Sequence, residues 1–367
     1  MATALVWDER CFWYEFGDWR SLLGDCAWLQ PGSFAETAES KRRILNLLHA
    51  SGLIDHMLTL KPATVDEADL CCVHDPDYVR RVRELSAGGG GNASPGAPVP
   101  AGGYEIAALA VGGTRAAIDA VLRAQADNAY ALMRPPGHHA ERDHGGGLCI
   151  FANAAVATKL AMRDHGLARV AIVDWDAHHG NGTESAFYDD PSVLTISIHQ
   201  DLMIPGRGAV CDNGRGGGEG YNINIPLPPG SGTGAYLAAM DRVVAPALRR
   251  FRPELILVAS GVDACASDPT ARMLLHADSY RFLTRRLMGL AAELCGGRLV
   301  MTHEGGYDAS AAPFCALAIM EEMTGIRTGV RDPFGELRED ALADYQRLLS
   351  HQDGVIRQAE ALVDRIR

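Results

Sequence analysis

The chain reads as an α/β protein built on a mainly parallel sheet, and three observations predict this. Short runs that are apolar at every position recur, as strands buried on both faces require, whereas strands with one wet face alternate. Helical patterns fall between them, at 35–51, 104–125, 149–165, 235–251, 279–295 and 340–367, and such alternation belongs to sheets with helices on both faces. Four of the runs end in histidine, aspartate or tyrosine, at the carboxyl ends where parallel sheets carry their sites.

The first of these runs, Tyr130-Ala131-Leu132-Met133, leads into Arg134-Pro135-Pro136-Gly137-His138-His139-Ala140. Two prolines stiffen the backbone just before a histidine pair, and rigidly held imidazoles serve proton transfer. The second, Arg169 to Val173, opens into Asp174-Trp175-Asp176-Ala177-His178-His179-Gly180-Asn181-Gly182-Thr183. Asp176 and His178 lie two apart and in an extended segment point the same way; a carboxylate oxygen with a neutral imidazole nitrogen suits zinc or another borderline divalent ion. A third ligand is needed, and the run Leu255 to Ser260 continues through Gly261 and Val262 to Asp263. Two carboxylates and one histidine leave a coordination position open, as catalytic sites do. The fourth run, Arg298 to Thr302, ends in His303-Glu304-Gly305-Gly306-Tyr307, where a tyrosine hydroxyl can donate to a developing oxyanion.

With 367 residues, 47% of them hydrophobic, the chain can bury a large core, and no linker divides it, so residues 1–367 read as one domain. A helical tail at about 340–367 closes it; Leu348, Ile356, Ala359, Leu362 and Ile366 fall near helical spacing and expect a partner surface on the same core or another subunit. The Gly- and Pro-rich stretch 87–103 reads as a flexible loop, and so does Gly214 to Gly220; neither is a nucleotide loop, since no Lys-Ser/Thr follows. Nine cysteines without Cys-x-x-Cys spacing point to a reducing compartment, and no signal-like start or run of eighteen apolar residues is present, so a cytoplasmic protein is expected. A net charge of -12 disfavours nucleic acid and anionic membranes as partners. Only Lys41, Lys61 and Lys159 are lysines among the 34 basic residues, a bias that hints at a GC-rich bacterial genome.

Together the Arg-Pro-Pro-Gly-His-His, Asp-x-Asp-x-His-His-Gly-Asn-Gly-Thr, Ser-Gly-Val-Asp and Glu-Gly-Gly-Tyr segments resemble the zinc-dependent histone deacetylase superfamily. The bacterial class II histone deacetylase-like amidohydrolases are the nearest match, in register to about Gly325 and supported by 194–200 and 220–227. The resemblance implies a three-layer α/β/α fold of the arginase/deacetylase type with a mainly parallel sheet of about eight strands. It implies removal of an acetyl or other short acyl group from an amine such as acetyl-lysine, by an enzyme that assembles as a dimer or tetramer. Asp176, His178 and Asp263 match the zinc ligands, His138 and His139 the tandem histidines, and Tyr307 the residue that polarises the substrate carbonyl. Asp174 matches the aspartate that orients the first histidine. With Ser197 and main-chain oxygens of His178 and Ile198 it also matches a potassium site; a second such site involves Phe187, Asp190, Val193 and Tyr221.

The departures carry information too. Asn181 stands where class I members have an aspartate, which makes His139 a weaker base and stronger acid. Gly147-Leu148 and Ile204 occupy places where the family sets two aromatic rings, so the tunnel wall is apolar without stacking surfaces and admits a bulkier or branched substrate. Thr270 stands where polyamine-specific relatives have glutamate, which argues against acetylpolyamines. An arginase-type ureohydrolase needs another aspartate in Asp-x-His-x-Asp for its second metal, and residue 180 is glycine. A non-catalytic acyl-amine binder is expected to have lost Tyr307 or a ligand, and both are in place.

Overall fold

The structure, a computed structural model, describes residues 2–17, 28, 35–335 and 346–367. Among them the strands are β1 (Thr3–Val6), β2 (Met57–Leu60), β3 (Gly90–Asn92), β4 (Pro98–Pro100), β5 (Asn128–Ala131), β6 (Val170–Asp174), β7 (Val193–Gln200), β8 (Asn222–Leu227), β9 (Leu255–Ser260) and β10 (Leu299–His303). Eight of them make one sheet in the order β2-β1-β5-β10-β9-β6-β7-β8, and every pairing in it is parallel. The last strand, β8, contains Pro226, a residue that sheets tolerate only at an edge.

The four apolar runs of the sequence are β5, β10, β9 and β6, neighbours at the centre of the sheet, and each is buried at every position. A helical layer on each face leaves no position of these four strands wet. Side chains divide by twos: Ala171, Val173, Ile256 and Val258 enter one core, with residues of the helices Ala277–Cys295, Ala312–Thr324 and Ser350–Glu360. Val170, Ile172, Leu255 and Leu257 enter the other, under the helices Gly103–Leu122 and Asn153–His165. The register then fixes the site, because Ala131, Thr302, Ala259 and Asp174 are partners across β5, β10, β9 and β6. The four segments that follow therefore leave the sheet side by side at one level.

Some expectations change in detail. The pattern at 235–251 is realised as Thr233–Ala239 and Ala245–Phe251 around a π-turn, Met240–Val244; Pro246 lacks the N–H that a regular turn would use, and the wider turn accommodates it. The tail is helical over Ser350–Glu360, while 336–345 lie outside the described residues. Ile356, Ala359 and Ile366 are buried against the chain's own core, whereas Leu348 is exposed. The segment 87–103, expected as a flexible loop, instead holds the hairpin β3–β4. Ala97 and Val99 are buried, and the Leu148 N–H donates to the Gly96 carbonyl at 2.8 Å, so this segment braces a wall. Among the described residues no helix is long and apolar enough to cross a membrane, and the described cysteines are all free.

Candidate active site

Asp176 and His178 follow β6, and Asp263 follows β9, its neighbour in the sheet. His178 Nδ1 lies 2.8 Å from Asp263 Oδ2 and 3.1 Å from Asp176 Oδ1, and one ligand atom from each of the three residues lies within 4.8 Å of the others. The backbone holds the carboxylates in place: Gly305 N donates to Asp176 Oδ2 and Ala177 N to Asp263 Oδ1, both at 2.8 Å. A Cβ on Gly305 would stand 2.3 Å from Asp263 Oδ2, so only glycine lets β10's exit pass this close.

Burial acts against a charged His178, but hydrogen bonds and charge from Asp176 and Asp263 outweigh it and raise its pKa to about 10. Burial, and then the Asp176 charge, push Asp263 up to about 7. Asp263, crowded out of water, holds a proton that a cation would displace, whereas at Asp176 burial is outweighed by the His138 charge and the His178 hydrogen bond, and its pKa falls well below the usual carboxylate range. A buried set of two carboxylates and one imidazole nitrogen fits a borderline divalent ion.

The histidine pair turns in beside this cluster, its rings 4.0 Å apart. His138 Nδ1 lies 3.0 Å from Asp174 Oδ2, and its Nε2 lies 3.8 Å from Asp176 Oδ1. Burial lowers the pKa of His138, yet the Asp176 and Asp174 charges lift it well above the ordinary value. His139 differs: its Nδ1 meets the neutral Asn181 Oδ1 at 2.7 Å, and burial followed by the charges of His138 and His178 holds its pKa well below the ordinary value. A Cβ on Gly147, which has φ +51°, would meet His139 Cδ2 at 2.2 Å, so this wall can approach the ring only as glycine.

Tyr307 completes the ring of functional groups, with its backbone N–H held by Asp268 Oδ2 at 2.8 Å and the Lys41 ammonium 5.1 Å from its ring centre. Burial first, then the Asp263 and Asp176 charges, keep its hydroxyl well above the usual range, so it stays a donor. A cavity of about 290 Å³ joins His139, His178 and Tyr307 to Ala35, Gly147, Leu148, Met203, Ile204, Pro269 and Thr270. The residues expected at the metal, the proton-transfer pair and the tunnel wall thus converge, and among the described residues the wall holds no aromatic ring besides those of His139, His178 and Tyr307. The potassium candidates also lie together: Asp174 pairs with Ser197 across β6 and β7, and Ser197 Oγ is 2.9 Å from His199 Nδ1. At the second position Lys159 Nζ approaches Asp190 at 3.5 Å, and the Tyr221 hydroxyl donates to the Arg367 carbonyl.

Sequence reasoning assigned no role to three supporting groups. Glu304 Oε2 accepts from Gly137 N at 2.7 Å and His138 N at 3.2 Å, tying β10's exit to the histidine turn. Asp268 anchors Tyr307. Glu36 receives Arg134 Nη2 at 2.7 Å and Lys41 Nζ at 3.0 Å, all three side chains being buried, and Lys41 also donates to the Gly306 carbonyl at 3.2 Å. An arginine directly after a buried strand was the available signal, since buried charges need partners.

The comparisons agree with this geometry. The model of the histone deacetylase domain matches residues 35–323. The chain is 48% identical over 354 residues to a histone deacetylase-like amidohydrolase of Pseudomonas aeruginosa, covering 94% of this chain and 93% of the relative. It is 37% identical to a probable deacetylase of Archaeoglobus fulgidus, covering 92% and 91%. The crystal structure of the HDA15 HD domain superposes with a TM-score of 0.81 at 29% identity, covering 99% of this chain and 98% of that one. On the matched span and these identities, the chain belongs to the histone deacetylase family, among its histone deacetylase-like amidohydrolases.

Proposed function

We propose that this protein is a zinc-dependent deacylase that removes acetyl or other short acyl groups from primary amines such as lysine side chains. The observation that carries the reading is the convergence of Asp176, His178 and Asp263 beside two differently tuned histidines and a tyrosine hydroxyl, all on one apolar cavity. Asp176, His178 and Asp263 would hold the zinc ion, which when bound supplies Lewis acidity that lowers the pKa of water and polarises an amide carbonyl.

The chain's own groups do the rest. His138, its Nδ1–H oriented by Asp174, would present Nε2 to accept a proton from the attacking water once a cation held by Asp176 offsets the charge that lifts its pKa. The Tyr307 hydroxyl donates to the carbonyl oxygen as it gains negative charge. His139 takes up a proton at Nε2 as the carbonyl carbon is attacked and passes it to the departing nitrogen; its lowered pKa makes the doubly protonated ring a ready donor. Water's oxygen ends in the carboxylate product; one of its hydrogens goes to His138 and the other, through His139 Nε2, to the departing amine, and His138 then returns its proton to solvent. Asp174, Ser197 and the Ile198 carbonyl form the candidate seat for potassium below the site, with a second near Phe187, Asp190 and Val193. Free cysteines among the described residues are compatible with work in a reducing cytoplasm.

The test pairs metal analysis with turnover of a panel of acyl-lysines and small acylated amines. One zinc per chain, activity lost on chelation and restored by zinc, is the expected result. Hydrolysis that survives complete removal of the metal, or a zinc-loaded protein that turns over no acyl amide in the panel, would overturn the proposal.

A further inference from the structure

Beside the tunnel lies a second chamber of about 400 Å³, which shares His139, Gly147 and Ile204 with it and is also bordered by Glu141, Asn181 and Arg207. A chain of hydrogen bonds runs along its wall toward the tunnel. Arg207 Nη1 donates to Glu141 Oε1 at 3.1 Å, and Asn181 Nδ2 donates to the same oxygen at 2.7 Å. Asn181 Oδ1 in turn accepts from His139 Nδ1 at 2.7 Å. His144 Nε2 stands 3.8 Å from Glu141 Oε1. The Glu141 side chain is only 14% exposed, whereas that of Arg207 is 60% exposed.

An asparagine amide has nearly the same shape in either orientation, with a donor at one end and an acceptor at the other. Besides Glu141, the Asn181 Nδ2 reaches only the His139 carbonyl among the described acceptors, at a long 3.4 Å, so the carboxylate at 2.7 Å is the stronger of the two groups that set the amide's orientation. A carboxylate can only accept, so Glu141 draws the Asn181 NH₂ toward itself and leaves the carbonyl for His139. That carbonyl requires a hydrogen on His139 Nδ1, which leaves Nε2 as the atom on the tunnel side. Were the amide turned over, its NH₂ would face Nδ1 and oppose the doubly protonated ring that proton delivery needs.

We propose that Glu141 is a positioning residue: acting through Asn181, it fixes the hydrogen on His139 Nδ1, and Arg207 ties this arrangement to the rim segment 201–208 that carries Ile204. The carboxylate is the only part of Glu141 involved. Its backbone N–H donates to the His144 carbonyl at 2.9 Å, and its own carbonyl lies 2.9 Å from His74 Nδ1, so the loop keeps its ties when the side chain changes.

The kinetic part of the test rests on the deacylase reading; the spectroscopic part does not. In the metal-loaded enzyme labelled with ¹⁵N-histidine, His139 is expected to show a protonated Nδ1 and a bare Nε2. The opposite tautomer would overturn the proposal without any variant or substrate. Glu141→Gln is expected to lower kcat about tenfold or more while KM stays within about twofold. Asn181→Asp sets a carboxylate directly against His139 Nδ1, and in that background Glu141→Gln should no longer lower kcat. A Glu141→Gln effect below about twofold in the natural background, or the same fold loss in both backgrounds, would refute the role. An enzyme inactive on every acyl amide but with the expected tautomer would sink the deacylase reading and leave the hydrogen-bond chain standing.

Discussion

Replacing Glu36 by glutamine tests whether the buried ion cluster behind the site holds it together. Burial raises the pKa of Glu36, but the charges and hydrogen bonds of Arg134 and Lys41 outweigh it and bring it from 4.5 to about 2. A drop of this size corresponds to folding stability on the order of 3 kcal/mol at neutral pH. A second route gives a similar figure, because removing one partner from a buried ion cluster costs about 3–5 kcal/mol through the charges left unpaired. The group's folded pKa is depressed, so its contribution is complete above about 4.5 and is lost as pH falls toward about 2. Urea unfolding of the natural chain and of Glu36→Gln, from pH 8 down to pH 3, measures this directly. The gap between them should be near 3 kcal/mol and level above about pH 5.5, then close on further acidification. A gap below about 1 kcal/mol at pH 7, or one that widens in acid, would refute the reasoning.

Three further outcomes are expected. Tyr307→Phe should lower kcat about a hundredfold or more with little change in KM, since the hydroxyl acts on charge that develops only in the transition state; steady-state kinetics on an acetylated lysine check this. Gly147→Ala places a Cβ 2.2 Å from His139 Cδ2 at a backbone φ of +51°. It should lower kcat by about tenfold or more while zinc content, measured by elemental analysis, stays at the level of the natural chain. Leu148→Phe narrows the cavity of about 290 Å³ and should raise the preference for linear over branched acylated amines by about tenfold. The ratio of kcat/KM values reads it, and an unchanged ratio would show that Leu148 does not set the width.

The central half of the sheet is legible in the sequence because β5, β6, β9 and β10 are apolar throughout and run directly into histidines, aspartates or a tyrosine. Physical chemistry demands both features of a buried parallel strand that ends at a site. Asp176 and His178 are close in the chain, so local spacing was enough to pair them. Asp263 required the further premise that β6 and β9 are neighbours. The outer strands were harder. β2 is only partly buried, and β3 and β4 lie in a Gly- and Pro-rich stretch whose composition reads as loop. Least visible were contacts between distant segments: 98 residues separate Glu36 from Arg134, and Asp268, within Asp-Pro-Thr, has the local look of a turn former while its carboxylate holds Tyr307. Glu304 lies within the Glu-Gly-Gly-Tyr segment, but the Gly137 and His138 N–H groups that donate to its carboxylate belong to a different strand's exit.

These distant contacts divide into two electrostatic regimes within one protein. Behind the site, Arg134 and Lys41 more than repay the burial of Glu36, so its ionised form favours the fold. At the site the balance is reversed. Burial outweighs the opposing charges of His178 and His138 and lifts Asp263 to about 7 and Glu304 to about 7, so their ionised forms work against folding at neutral pH and above. A core that sought stability alone would replace such groups with apolar ones. The same excess of buried negative charge creates a strong local preference for a cation and sets His138 and His139 in opposite environments a few ångströms apart. Glu36, Arg134 and Lys41 reach Tyr14, Gly306 and the turn before His138, so the satisfied cluster grips the segments that carry the unsatisfied one. Stability gained in the frame thus offsets strain at the cavity, and a substitution that relaxes the site carboxylates should strengthen the fold while weakening the chemistry.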